Sequence, residues 1–206
     1  MTKRTRLIIV AGPQSSGKST LFSLLKSQVA QCQFLPEINP YKFVSKNESI
    51  TKSVDSREIQ LEILKEELER AKTLIGKPGT HIIETGIFSV VYLHDLFGEK
   101  KAQESLNEYL SIYKELNPHI VFIDTKPNES WKRRKGEYIH RIGHIDKGQK
   151  EEILKKYQQR IHRLYPLWLK YFESIPLPKT VIKNSYKNRD TFLKESTKLV
   201  KSLCEQ

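Results

Sequence analysis

The first marked feature in the apolar and polar pattern is Leu7-Ile8-Ile9-Val10-Ala11, a continuous apolar run that ends in a glycine. A short run without alternation predicts a strand buried on both faces, as in parallel sheets. From Ser19 to Val29 the apolar positions Leu21, Phe22, Leu24 and Leu25 fall at helical spacing. Phe34-Leu35-Pro36-Glu37 ends a second strand, and a loop follows around Pro40. Between Asp55 and Ile75, the residues Ile59, Ile63, Leu64, Leu68, Ala71 and Ile75 form an apolar stripe among charges. That pattern predicts a long amphipathic helix. Gly76-Lys77-Pro78-Gly79 breaks the chain before a third strand, His81-Ile82-Ile83-Glu84.

A further helix is expected from about Leu106 to Leu116, and a fourth strand at Ile120-Val121-Phe122-Ile123-Asp124. Asn128 to Lys135 reads as a very basic helix. From Gly136 to Gly148 the sequence is polar with little periodicity, which predicts a mobile loop. Lys150 to Glu173 is a long helix in which Pro166, lacking an amide donor, predicts a kink. Thr180-Val181-Ile182-Lys183 is a short last strand and Thr191 to Leu203 a closing helix. Strands alternating with helices predict an α/β fold in three layers: a five-stranded, mostly parallel sheet with helices on both faces. Ligands of such sheets bind at the carboxyl ends of the strands. The glycine loop after Ala11, Glu37, Glu84 and Asp124 all sit at such ends.

Composition narrows the setting. A chain of 206 residues suits one domain with a substantial core. No apolar run approaches the roughly 20 residues that span a bilayer, so no membrane association is expected. The basic N-terminus, Met1 to Arg6, precedes an apolar stretch too short for a secretory signal. Cys32 and Cys204 have no metal-ligand spacing, and a reduced cytoplasmic setting is expected. The formal net charge is +12, but the basic residues are spread and mostly alternate with Glu on predicted helix faces. That reads as a solvated surface attractive to anionic nucleotides; nucleic-acid binding is compatible but not favoured. A homodimer is compatible too.

The chemistry starts at Gly12-Pro13-Gln14-Ser15-Ser16-Gly17-Lys18-Ser19, which fits GxxxxGK[ST]. Gly12 and Gly17 permit backbone angles and close approach that side chains forbid. Successive amides then point at the phosphates of a nucleoside triphosphate, helped by the dipole of the helix that follows. Lys18 supplies a mobile cation to the β- and γ-phosphates, and the Ser19 hydroxyl can join a Mg²⁺ shell. The donor site expected here comprises Gly12, Ser15, Ser16, Gly17, Lys18, Ser19 and Thr20, with ATP and Mg²⁺ as cofactors. Glu84, emerging beside this loop if the strands are neighbours, could hold a water of the metal shell. Asp124 precedes Thr125-Lys126-Pro127, a turn in which an aspartate often just caps.

Several segments taken in order resemble the deoxynucleoside kinase and thymidylate kinase group. Glu37-Ile38-Asn39-Pro40-Tyr41 resembles the segment after the second strand, and Ile83-Glu84-Thr85-Gly86 falls where the group has an acidic-Arg-Ser motif. Ile123-Asp124-Thr125-Lys126-Pro127 followed by Trp131 to Gly136 is similar to the fourth strand and arginine-rich lid, here about residues 133–148. The resemblance implies that Glu37 is the base for an acceptor hydroxyl and that Arg133, Arg134 and Arg141 close over the moving phosphate. It implies a kinase of nucleosides or nucleoside monophosphates. Thr85 stands where the group has arginine, and Arg141 is displaced beyond the expected lid spacing. Tyr41, Phe43 and Phe88 are candidates to stack on a base, whereas Trp131, Tyr165 and Trp168 suit helix packing. His140 and His144 are expected at the surface. Two other readings stay open: a P-loop NTPase acting as a switch with water as acceptor, and a kinase or binder of nucleic-acid ends.

Overall fold

The structure is a computed structural model that describes residues 5–43, 56–142, 146–185 and 189–205. Five strands form one sheet: β1 (Thr5–Ala11), β2 (Gln33–Leu35), β3 (Gly79–Glu84), β4 (Pro118–Asp124) and β5 (Lys179–Lys183). Their order is β2-β3-β1-β4-β5 and every pairing is parallel. The first strand in sequence is thus the central one. This explains why Leu7 to Ala11 carries no polar position: all five residues are wholly buried.

The side chains of β1 alternate between two cores. Leu7, Ile9 and Ala11 face one cluster and Ile8 and Val10 the other. The first face is covered by α2 (Arg57–Lys72), α3 (Val90–Phe97), α4 (Glu99–Tyr113) and α6 (Lys147–Ser174). The second is covered by α1 (Lys18–Gln28) and α7 (Arg189–Glu205). The three-layer α/β fold expected from the sequence is therefore present. No helix of the described residues is long and apolar enough to cross a membrane.

Three local expectations differ. β2 ends at Leu35, not at Glu37, because Pro36 has no amide with which to continue the ladder. The helix expected from about Leu106 is the second half of a longer pair, α3 and α4, joined at Gly98 (φ 86°). The expected loop from Gly136 to Gly148 is largely helical. A helix α5 spans Pro127–Arg141 with Gly136 inside it, and α6 already starts at Lys147; residues 143–145 lie outside the described residues. Aromatic packing holds this region in place: Tyr138 stacks on Tyr157 of α6 with centroids 4.1 Å apart, and Trp131 lies 6.1 Å from Tyr138. Pro166 sits inside α6, which runs through it to Ser174.

Register sets the functional end of the sheet. Val10 pairs with Glu84, Ala11 with Phe122, and Asp124 with Lys183. The loop after β1, Glu84 and the residues after β4 and β5 consequently emerge on one edge.

Candidate active site

The loop after β1 is wedged against its neighbours. Gly12 (φ +152°) approaches β4 so closely that a Cβ there would lie 2.4 Å from the Ile123 carbonyl oxygen. Gly17 (φ +99°) would place a Cβ 2.8 Å from Asn184 Nδ2. Both conditions, close approach and left-handed backbone, are met only by glycine. The turn is fixed from outside by its carbonyls. Asn184 Nδ2 donates to the Ser16 carbonyl at 2.6 Å, and Arg133 donates to the Ser15 carbonyl at 3.1 Å. Arg133 also donates to Asn184 Oδ1 at 3.0 Å. These donors fix the carbonyls of Ser15 and Ser16, and within the turn the Ser16 amide donates to the Pro13 carbonyl at 3.2 Å.

That cavity measures about 890 Å³. Its wall contains Ser15, Ser16, Gly17, Lys18, Ser19 and Thr20 from the loop and α1, Glu37 from the segment after β2, and Arg133 and Arg134 from α5. Lys18 Nζ donates to the Gly12 carbonyl at 2.8 Å and the Pro13 carbonyl at 3.2 Å. Burial lowers its pKa, while the charges of Glu37 and Glu84 pull it back up. The ammonium also lies over the Trp168 ring, 5.6 Å from its centroid, and a cation held by loop carbonyls can exchange them for phosphate oxygens. Ser19 Oγ donates to Glu84 Oε1 at 2.6 Å. Burial raises the Glu84 carboxyl, and the Ser19 hydroxyl and the Glu37 backbone amide work against that rise.

Glu37 is exposed to the cavity mouth, yet its charge bears on Lys18, Glu84, Glu67 and Tyr92 alike. The side chain of Arg141 lies outside the described residues, as do that of Tyr41 and the whole of His144. His140 is exposed, as expected. Phe88 does not reach the cavity: it is wholly buried, stacked on Trp168 at 5.6 Å and beside Phe122 at 5.8 Å. Phe43 packs against Ile38, Ile59 and Ile63. Asp124 accepts from Tyr165 at 2.8 Å and lies 3.8 Å from Lys126, a local clamp between β4 and α6.

Cavity residues that escape the sequence reading include Asn184, Gln60, Glu67 and Tyr92. Asn184 lies one position past β5. Gln60 and Glu67 lie on α2, both buried, on the same face as the apolar Ile63. Polar residues placed on an apolar stripe were the signal available. Tyr92 sits on α3, an element the pattern did not show. Burial pushes the Glu67 carboxyl from its ordinary 4.5 up to about 7, with the Tyr109 and Ser89 hydroxyls opposing and the Glu37 charge adding to the rise. Thr85, also on the wall, takes φ 69° and ψ −64°, an uncommon conformation for a β-branched residue, and its hydroxyl is buried without a partner among the described residues.

Comparison with known proteins decides the family. A model of the family described as deoxynucleoside kinase matches residues 8–205. The chain belongs to the deoxynucleoside kinase family. It is a phosphotransferase that moves a phosphoryl group from a nucleotide donor to a nucleoside. No curated protein matches it in sequence. Similar solved structures include the Bacillus subtilis YorR protein in complex with phosphorylated GDP, at 16% identity and TM-score 0.58, covering 97% of this chain and 95% of that one. Deoxyadenosine kinase from M. mycoides with bound dATP has 16% identity and TM-score 0.58, covering 97% and 100%. The same kinase with products dCMP and dCDP has 17% identity and TM-score 0.57, covering 96% and 97%. At such identities the structures agree in fold.

Two consequences of this kinase's cavity can be measured. Asn184→Ala removes the donor to the Ser16 carbonyl and the acceptor for Arg133. Losing hydrogen bonds of this kind costs about 1–3 kcal/mol, so nucleotide affinity by calorimetry should fall roughly tenfold or more; unchanged affinity would show that the loop holds its shape alone. For Glu67, the folded state keeps its proton to higher pH than the unfolded chain. Its contribution therefore becomes less favourable as pH rises through the window from 4.5 to about 7, by about 3 kcal/mol in all. In urea unfolding, Glu67→Gln should gain stability relative to the native chain between about pH 5 and about pH 8. A difference independent of pH would mean that the carboxyl is not desolvated.

Proposed function

We propose that the chain is a Mg²⁺-dependent kinase that transfers the γ-phosphoryl group of ATP to the hydroxyl of a nucleoside. The observation that carries this is the convergence of the phosphate loop, Glu37, Arg133 and Arg134 on one cavity. Lys18 and the loop amides bind the β- and γ-phosphates. Arg133 and Arg134, on the helix beside the loop, supply fixed donors to charge that develops on the transferring group. Arg141, at the end of the same helix, is assigned to the lid with them on the resemblance alone. Glu37 accepts the proton of the acceptor hydroxyl as its oxygen bonds to the γ-phosphorus and the bond to ADP breaks. Such transfers ask mainly for positioning and charge neutralisation.

A nucleoside is favoured over a monophosphate by Glu37, because a hydroxyl acceptor benefits from a base whereas a monophosphate is already ionised. The wall itself is mixed in charge: Glu37 and Glu67 lie near Gln60, Ile63 and Tyr92, and the charges of Arg134 and Arg160 also reach Tyr92. Thr85, where a cation is expected by resemblance, adds none.

The hydroxyl of Ser19 and the carboxylate of Glu84, 2.6 Å apart, form an oxygen pair suited to a hard cation. They would hold Mg²⁺ directly or through water, together with phosphate oxygens. Held there, Mg²⁺ would supply neutralisation of the negative charge of the triphosphate. No cluster of three or more His, Cys, Asp or Glu side chains is found among the described residues, which suits an ion brought in with the nucleotide. The free thiols of Cys32 and Cys204 fit a reducing, cytoplasmic setting.

Glu37→Gln tests the reading. A positioned general base contributes typically about 10²–10⁴ in rate, so kcat with a nucleoside should fall within that range while ATP affinity is retained. A variant with undiminished kcat would remove Glu37 from the chemistry.

A further inference from the structure

The acceptor half of the cavity holds an acid for which phosphoryl transfer has no use. Glu67 is 2% exposed and lines the cavity from α2, one face with Gln60 and Ile63. Buried acidic side chains are ordinarily paired with a cation. Arg70, three positions further on the same helix, gives two donors to the Pro36 carbonyl at 3.0 Å and acts on Glu67 through its charge rather than by a hydrogen bond. The partners of Glu67 are hydroxyls. Tyr109 of α4 donates to its Oε2, and the Tyr109 hydroxyl in turn meets Ser89 Oγ at 2.7 Å. Ser89 itself lines the cavity.

A carboxylate offers about four acceptor positions and no donor. The Tyr109 hydroxyl, itself accepting from Ser89, uses part of that capacity and holds one oxygen of the group. What remains faces a cavity whose neighbouring walls are Ile63 and the amide of Gln60. A flat ring lying against Ile63 would bring its polar edge to Glu67.

We propose that Glu67 is a specificity-determining residue: it selects an acceptor nucleoside whose base carries an exocyclic amino group. This rests on the reading of the cavity as a nucleoside site. An amino group donates to the carboxylate and satisfies it. A base with a carbonyl at the same position sets lone pairs against lone pairs in a desolvated place. A site built to receive an N–H rejects analogues that lack it far more strongly than a merely apolar pocket rejects a misfit. Tyr109 sharpens the selection by holding one carboxylate oxygen, which prevents the group from turning away.

Matched pairs test the group. Deoxyadenosine against deoxyinosine, and deoxycytidine against deoxyuridine, exchange amino for oxo and, with it, an acceptor ring nitrogen for an N–H. Purine deoxyriboside, which has neither the amino group nor that N–H, is the control that isolates the amino group and should be used as poorly as deoxyinosine. With the full chain at about pH 8, above the titration of the buried carboxyl, the amino member of each pair should exceed its oxo partner by roughly 10²-fold or more in kcat/KM. Glu67→Gln keeps the shape. With Tyr109 donating to the amide oxygen, its NH₂ faces the base, and the ratio should fall at least about tenfold through gain on the oxo member. The ratio in the native chain needs no variant, so a Glu67→Gln protein that fails to fold leaves the test standing. Equal use of amino and oxo members by the native chain, or a ratio unmoved by Glu67→Gln, overturns the proposal. If none of the four nucleosides is phosphorylated while ATP still binds, the nucleoside reading itself fails and takes this one with it.

Discussion

Everything at the functional edge depends on how tightly the phosphate loop is held between its neighbours. Gly12 lies so near the Ile123 carbonyl that no side chain fits, and a Cβ on Gly17 would meet Asn184 Nδ2 at 2.8 Å. Donors from two other elements, Asn184 past β5 and Arg133 on α5, take the carbonyls of Ser16 and Ser15, and Lys18 takes those of Gly12 and Pro13. Because β1 is the central strand, this loop sits between Glu84 on one side and the end of β4 on the other. The glycine loop, the Ser19–Glu84 pair and Arg133 are thus brought together by one packing constraint.

The electrostatics of the cavity divide along the same line. Burial lowers the pKa of Lys18, and the charges of Glu37 and Glu84 oppose that shift. At the acceptor side burial raises Glu67 to about 7 against the Tyr109 and Ser89 hydroxyls and the charge of Arg70. The formal net charge of +12 is consistent with attraction of anionic nucleotides.

Much of this was legible in the sequence where a single physical requirement dictates residue type. An all-apolar run marks a central strand, and two glycines at fixed spacing mark the cradle. Glu84 directly after Ile82 and Ile83 marks a strand end. Elements set by packing were harder to read. The polar stretch after Lys135 has no helical stripe, yet the Tyr138–Tyr157 stack makes Arg133 to Arg141 one helix. Val90-Val91-Tyr92-Leu93 is apolar on all sides and hid a buried helix. Phe88, a candidate for stacking on a base, is drawn into the core by Trp168. Glu67 reads as one more charge in an acidic helix until Tyr109, forty-two positions away, is seen beside it.

The central claim is that one cavity joins a nucleotide's phosphates to a nucleoside hydroxyl. Its most direct measurement is product formation: purified protein with Mg²⁺-ATP, each of the deoxynucleosides in turn or none, and chromatography of both products. ADP and a nucleoside monophosphate should form in equal amounts, and only when a suitable nucleoside is present. ADP released at one slow rate with every nucleoside and with none, and no monophosphate, would contradict it.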